Sequence, residues 1–149
     1  MARSLRLARP FLVLVLLFAA IRFSLKPFFG VAYENGRAQS ISIVVLTLTG
    51  AAFYGVFLRR FMKYTLGQAM VQGIALGVVA QLVVLLATVL SYVANVPTFF
   101  NAPEALNQKE AVGLGVALGQ RAAGLVINPI LASIAGAIGW ILGAVLPAD

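Results

Sequence analysis

Four long stretches of this chain carry no charge, and together they make up most of it. Arg9 and Arg22 enclose 12 uncharged residues, Arg37 and Arg59 enclose 21, Lys63 and Glu104 enclose 40, and Arg121 and Asp149 enclose 27. The hydrocarbon core of a bilayer is ~30 Å thick and takes about 20 helical residues to cross. Runs of this length predict an all-α integral membrane protein: four transmembrane helices in a bundle, in a single domain covering residues 1–149. Composition agrees. Hydrophobic residues make up 62% and charged residues 10%, against roughly 45–50% and about 25% in ordinary soluble domains. A soluble fold of this size has too little interior to hide that much apolar surface. Lipid removes the difficulty by acting as the solvent.

The crossings are expected near residues 4–26, 40–58, 67–94 and 122–146. The first combines a basic head (Arg3, Arg6, Arg9) with the apolar run Phe11–Ile21. That resembles a signal peptide, but no small-x-small cleavage site precedes Arg22, and an uncleaved helix is the better reading. Its strict core is short, so Arg6 and Arg22 are expected to snorkel to the headgroups. Asn35-Gly36 marks a turn before the second crossing, and Phe28, Phe29 and Tyr33 suit an interfacial aromatic belt. A second aromatic pair, Phe99-Phe100, falls on the same side of the membrane.

Asn101-x-x-Glu104 reads as a capping box opening a short helix. From Glu110 to Leu146 is too long for a simple crossing, about 55 Å as one helix at ~1.5 Å per residue. Ala111–Gln120 is therefore expected as a separate short interfacial or re-entrant helix, although its Val-Gly-Leu-Gly pattern alternates like a strand as well. Basic residues set orientation. With both termini inside, Arg3, Arg6, Arg9, Arg59, Arg60 and Lys63 lie inside, and Arg22, Lys26, Arg37, Lys109 and Arg121 outside. The dense inner clusters favour cytoplasmic termini, and a bacterial inner membrane is the expected address.

The net charge of +7 invites a nucleic-acid reading. Its charges flank apolar runs, however, and form no separate basic domain or basic helix. Membrane lipids are the expected partners, and nucleic acid is not. The sequence has no Cys and no His. It therefore offers no disulfide, thiolate metal site, axial His or Ser–His dyad. No paired carboxylates or phosphate-cradling glycine loop are present either. No cofactor, metal or catalytic residue is assigned, and no enzymatic activity is expected.

What remains is polar and small-residue patterning. On the third helix Gly73, Gly77, Gln81, Thr88, Ser91 and Asn95 fall within about 80° of arc at ~100° per residue. Gly73-x-x-x-Gly77 lets helix backbones approach closely. On the fourth, Arg121, Gly124, Asn128, Ala132, Ala135, Gly139 and Gly143 lie within about 100°. Pro129 removes a backbone donor there. Such breaks occur at ion and substrate sites and also as plain kinks. Arg121 either reaches this face or anchors in the outer headgroups, the ordinary role of a terminal arginine. Ser40, Thr47, Ala51 and Tyr54 share a face of the second helix, and a buried Tyr54 needs a partner, for which Gln81 and Asn128 are candidates.

Arg59-Arg60-Phe61-Met62-Lys63-Tyr64-Thr65-Leu66-Gly67-Gln68-Ala69 and Val126-Ile127-Asn128-Pro129-Ile130-Leu131-Ala132-Ser133-Ile134 resemble a bacterial family of small four-helix membrane proteins of unknown function. The resemblance covers about the last 110 residues and implies the four-crossing layout, with no activity. The chain also resembles small four-helix multidrug exporters in size but lacks their membrane-embedded Glu in the first helix.

Two functional expectations follow. The first is a non-enzymatic accessory or assembly subunit packing through glycine faces at Gly73, Gly77, Gly124, Gly139 and Gly143, as a homo-oligomer or within a larger membrane complex. The alternative is a small channel or carrier with a polar interior at Tyr54, Gln81 and Asn128. Arg59, Arg60 and Lys63 are expected to meet lipid headgroups and set orientation.

Overall fold

The computed structural model describes residues 6–33 and 40–145. Four helices account for most of them: α1 (Arg9–Phe29), α2 (Ile43–Met62), α3 (Leu66–Val93) and α4 (Leu114–Val145). All four are long and apolar enough to cross a membrane, the architecture of a multi-pass membrane protein. The Asn35-Gly36 turn, residues 4–5 of the first expected crossing and residue 146 of the last lie outside the described residues.

Local chemistry explains where the helices stop. α1 carries Pro10 in its first turn and runs through Pro27 to Phe29, three residues beyond the expected end at 26. A proline so close to the C-terminus removes a single ladder bond. Gly30 then closes the helix in the left-handed region (φ 64°), its N–H donating to the Lys26 carbonyl at 3.1 Å. Glycine adopts that conformation without steric cost.

α2 takes Ser42 as N-cap, its hydroxyl accepting from Val45 N–H at 3.4 Å. It continues past the expected end at 58, because Arg59 and Arg60 complement the negative end of the helix dipole. Lys63 caps it with φ 53°. Thr65 and Gln68 form a reciprocal capping box at the start of α3: Gln68 N–H donates to Thr65 Oγ1 at 3.3 Å and Thr65 N–H to Gln68 Oε1 at 2.9 Å.

Two expectations between α3 and α4 change. Asn101 does not cap a helix. Its Oδ1 accepts from Thr98 N–H at 2.8 Å and its amide donates to the Val96 carbonyl at 3.0 Å. Ala102 occupies the N-cap position of a single 3-10 turn, Pro103–Leu106. Ala111–Gln120 forms no separate helix or strand. Its residues from Leu114 onward belong to α4, an unbroken helix of 32 residues. Nothing between Leu114 and Ala122 interrupts the hydrogen-bond ladder, and Gly115 and Gly119 stand in open space.

The helices alternate in direction. The α1–α2 and α3–α4 connections therefore share one end, tied together by Phe99 N–H donating to the Arg22 carbonyl at 3.4 Å and by an edge-on contact of Tyr33 with Phe99 at 5.1 Å between ring centres. The two phenylalanine pairs differ. Phe28 and Phe29 are exposed, as a belt requires, whereas Phe99 and Phe100 are buried. The basic turn between α2 and α3 lies at the opposite end.

Packing centres on α4, which fills the angle between α2 and α3. Glycines make this possible by letting backbones touch. A Cβ on Gly55 would collide with the Gly136 carbonyl, one on Gly139 with the Ala52 carbonyl, and one on Gly73 with the Ala132 carbonyl. Gly77 lies against Pro129, where an added Cβ would be 2.6 Å from the proline Cα. α1 is held more lightly. It buries only Phe11, Val15 and Ala19, sets the Phe11 ring over Gly50, and leaves Val13, Leu16 and Leu17 outward.

Candidate functional site

The glycine seams close one half of the bundle. Toward the other end α2 and α4 separate, and a cavity of about 210 Å³ opens between the four helices. Its lining comes from every part of the fold: Arg22 on α1, Ser42–Val44 at the start of α2, Gln81 and Val84 on α3, Gln120, Arg121, Gly124 and Asn128 on α4, with Tyr33, Phe100 and Ala105 from the connections. Liquid water occupies ~30 Å³ per molecule, so the space accommodates several waters or a small polyatomic ion.

The floor is a side-chain relay. Asn128 Nδ2 donates to Gln81 Oε1 at 2.6 Å, and Gln81 Nε2 donates to the Arg121 carbonyl at 2.7 Å. Gly124 is what lets Gln81 lie there, since a Cβ at that position would strike the Gln81 amide. Below the relay a crevice of about 10 Å³ runs between Val44, Leu48 and Val84. Beneath that, Gly77 meets Pro129, and the interior is closed by backbone contact.

The roof is held by the loop after α3. Ser91 Oγ and Thr98 Oγ1 share a hydrogen bond at 2.7 Å, and Thr98 Oγ1 accepts from Phe100 N–H at 3.0 Å. This fixes Phe100 twice over. Its ring lies 5.6 Å from the Arg22 guanidinium carbon, and its carbonyl accepts from Arg121 Nη2 at 3.2 Å. Arg22 also sits 5.8 Å from the Phe99 ring and donates to the Ile41 carbonyl at 3.3 Å.

Both arginines are therefore turned into the protein rather than out to the headgroups, which corrects the snorkelling expected of Arg22 and the anchoring role of Arg121. Arg121 Nε is buried and has no hydrogen-bond partner among the described residues. No acid appears among the described residues that line the cavity. The site presents guanidinium, amide and hydroxyl groups, a set that suits an anion. No cluster of metal-binding side chains occurs among the described residues.

The other residues singled out from sequence divide clearly. Gly73 and Gly77 pack on α4, Gly139 on α2, and Gly143 on Val56 and Arg59. Tyr54 does not join Gln81 and Asn128. Its hydroxyl donates to the Leu7 carbonyl at 2.9 Å, pinning the start of α1. Arg59 lies over the Trp140 ring at 3.8 Å, while Trp140 Nε1 donates to the Tyr64 carbonyl at 2.7 Å. That clamp is at the basic-turn end, with Lys63 as the α2 cap.

Sequence reasoning sent Arg22 to the headgroups and read Phe99-Phe100 as a second aromatic pair on that side of the membrane, and so assigned neither to the site. The usable signal was the face shared by Arg121 and Asn128 one helix away from Gln81. No protein-family model, curated protein or solved structure matches the chain.

Proposed function

We propose that this is a non-enzymatic membrane protein that binds an anionic group in the cavity beneath Phe100. One observation carries the reading: arginines from two different helices converge on one cavity whose described lining contains no acid. Holding a cation away from water costs several kcal/mol unless a counter-charge or full hydrogen bonding offsets it, and Arg121 Nε lacks a partner among the described residues. An anion in the cavity supplies the counter-charge.

An accessory or assembly role is compatible with this reading, but the glycine faces do not serve it. They meet one another within a single chain, so association with a second copy or a larger complex uses lipid-facing sides. The channel alternative needs a continuous polar path, and the closed contacts at Gly77 and Gly73 oppose it.

We place the protein in a bacterial inner membrane with cytoplasmic termini and the cavity at the outer side. The basic residues support this: six fall on the inner side against five on the outer, and two of those five, Arg22 and Arg121, line the cavity.

The test is thermal unfolding of the purified protein in nonionic detergent, with inorganic phosphate or phosphatidylglycerol added. Stabilisation by one of them, abolished by Arg121→Gln and retained by Arg59→Gln, is expected. No stabilisation by either compound rejects the proposal.

A further inference from the structure

The cavity has a second property that bears on its ligand. Its donors surround the main chamber, and the crevice beneath it presents mostly apolar surface. Ser42 uses its oxygen to cap Val45, leaving the O–H to donate. Asn128 gives one amide hydrogen to Gln81 and keeps the other. With the Arg121 guanidinium, these donors approach from α2 and α4. A carboxylate presents two oxygens in one plane and is satisfied by a single arginine fork. A tetrahedral phosphate accepts from several directions at once, which fits donors distributed around a cavity.

The wall between α2 and α4 differs from the others. Val44 lines both the cavity and the crevice beneath it, yet is 37% exposed on the outside of a membrane-crossing helix. Below it Leu48 continues the crevice toward the middle of the bundle, and on the facing helix Ile127, beside Asn128, is exposed. Val44 therefore borders the cavity on one side and the hydrocarbon on the other, so that an approach through this wall is apolar. A second approach exists from the end of the bundle, where Ala105, Gln120 and Arg121 also border an open surface depression. A soluble anion would use that one.

We propose that the ligand is a phosphate ester, and specifically the headgroup phosphate of an anionic glycerophospholipid. It enters sideways between α2 and α4, with its phosphate against Arg121 and Arg22 and its chains outside Val44 and Leu48. This rests on the anion-binding reading above. A phosphatidylcholine headgroup carries an ammonium that the two arginines repel, so phosphatidylglycerol is preferred.

The experiment is native mass spectrometry of the full chain released from nanodiscs containing equal amounts of phosphatidylglycerol and phosphatidylcholine, paired with equilibrium binding of inorganic phosphate and glycerol 3-phosphate in lipid-free detergent. One phosphatidylglycerol retained per chain, with retention at least tenfold lower in Arg121→Gln and unchanged in Arg59→Gln, is the expected result. Ile127→Trp crowds the lipid side of this wall from a position that does not line the cavity. It should lower lipid retention and leave binding of inorganic phosphate as it was, which guards against misreading an unstable Arg121 variant. Equal retention of the two lipids, or lipid retention unaffected by Ile127→Trp, overturns lateral lipid capture. Soluble phosphate compounds binding through Arg121 while no lipid is held also overturns it, yet leaves the anion site standing. If neither lipid nor soluble phosphate binds, both readings fall.

Discussion

The two halves of the bundle are built from the same helices by opposite means. Toward the basic turn, α2, α3 and α4 meet backbone to backbone through Gly55, Gly73, Gly136 and Gly139. Toward the other end, the same helices spread around Arg22, Gln81, Arg121 and Asn128. Lipid tails are as apolar as leucine, so burying side chains adds little to helix association in a membrane, and close packing must supply it. The glycine half provides that packing. The cavity half could not be maintained by packing alone, and depends on hydrogen bonds from Asn128 to Gln81 and onward to Arg121. One half sets the crossing point of the helices, and the other uses the separation that results.

Substitutions test that division. Gly139→Leu should have the largest effect. Its new side chain would run into the Ala52 backbone, and overpacking a tight interior costs ~1–3 kcal/mol, occasionally more. We expect about 3 kcal/mol or greater, read from the midpoint of denaturation in detergent, with self-association unchanged because the seam is internal. A change in oligomeric state without loss of stability would show that the seam faces another molecule.

Asn128→Leu comes next. It leaves the Gln81 oxygen without its donor, for a loss of about 1–3 kcal/mol, and weakens phosphate binding alongside. The double variant with Gln81→Leu should cost less than the sum of the single ones. Strict additivity in that double-mutant cycle would deny the relay.

Arg59→Gln should be the mildest. Loss of its contact with Trp140 is worth about 0.5–1 kcal/mol. It should shift Trp140 fluorescence, the chain's one tryptophan signal, and leave anion binding intact. A drop in anion binding would mean that the two ends are coupled.

The four crossings were legible because hydropathy over some 20 residues reports directly on the solvent. The seams were legible too, since Gly73-x-x-x-Gly77 can do little else, but their partner was not. A small face does not say whether it meets its own chain or another. The same ambiguity hid the cavity. Arg22 and Arg121 each sit a few turns from a helix end, where an arginine can reach outward to headgroups or inward to a neighbour. The inward choice depends on Phe100, and Phe100 is placed by Thr98, Ser91 and Asn101 acting together. No single helix carries that information. Thr65-x-x-Gln68, by contrast, is a capping signal fully visible in the sequence and was open to being read from it.

The unbroken α4 has a consequence for the surrounding bilayer. Its 32 residues measure about 48 Å at ~1.5 Å per residue, against a hydrocarbon thickness of ~30 Å. Membrane helices tilt by up to about 40°, and even at that angle the helix is roughly 9 Å too long. Something like six residues must stand clear of the hydrocarbon. If they are the glycine-bearing turns from Leu114 to Gly119, then Arg121 sits at the boundary between tails and headgroups. Its immersion is then a matter of tilt, and a thicker membrane would draw the arginine deeper while a thinner one would lift it toward water.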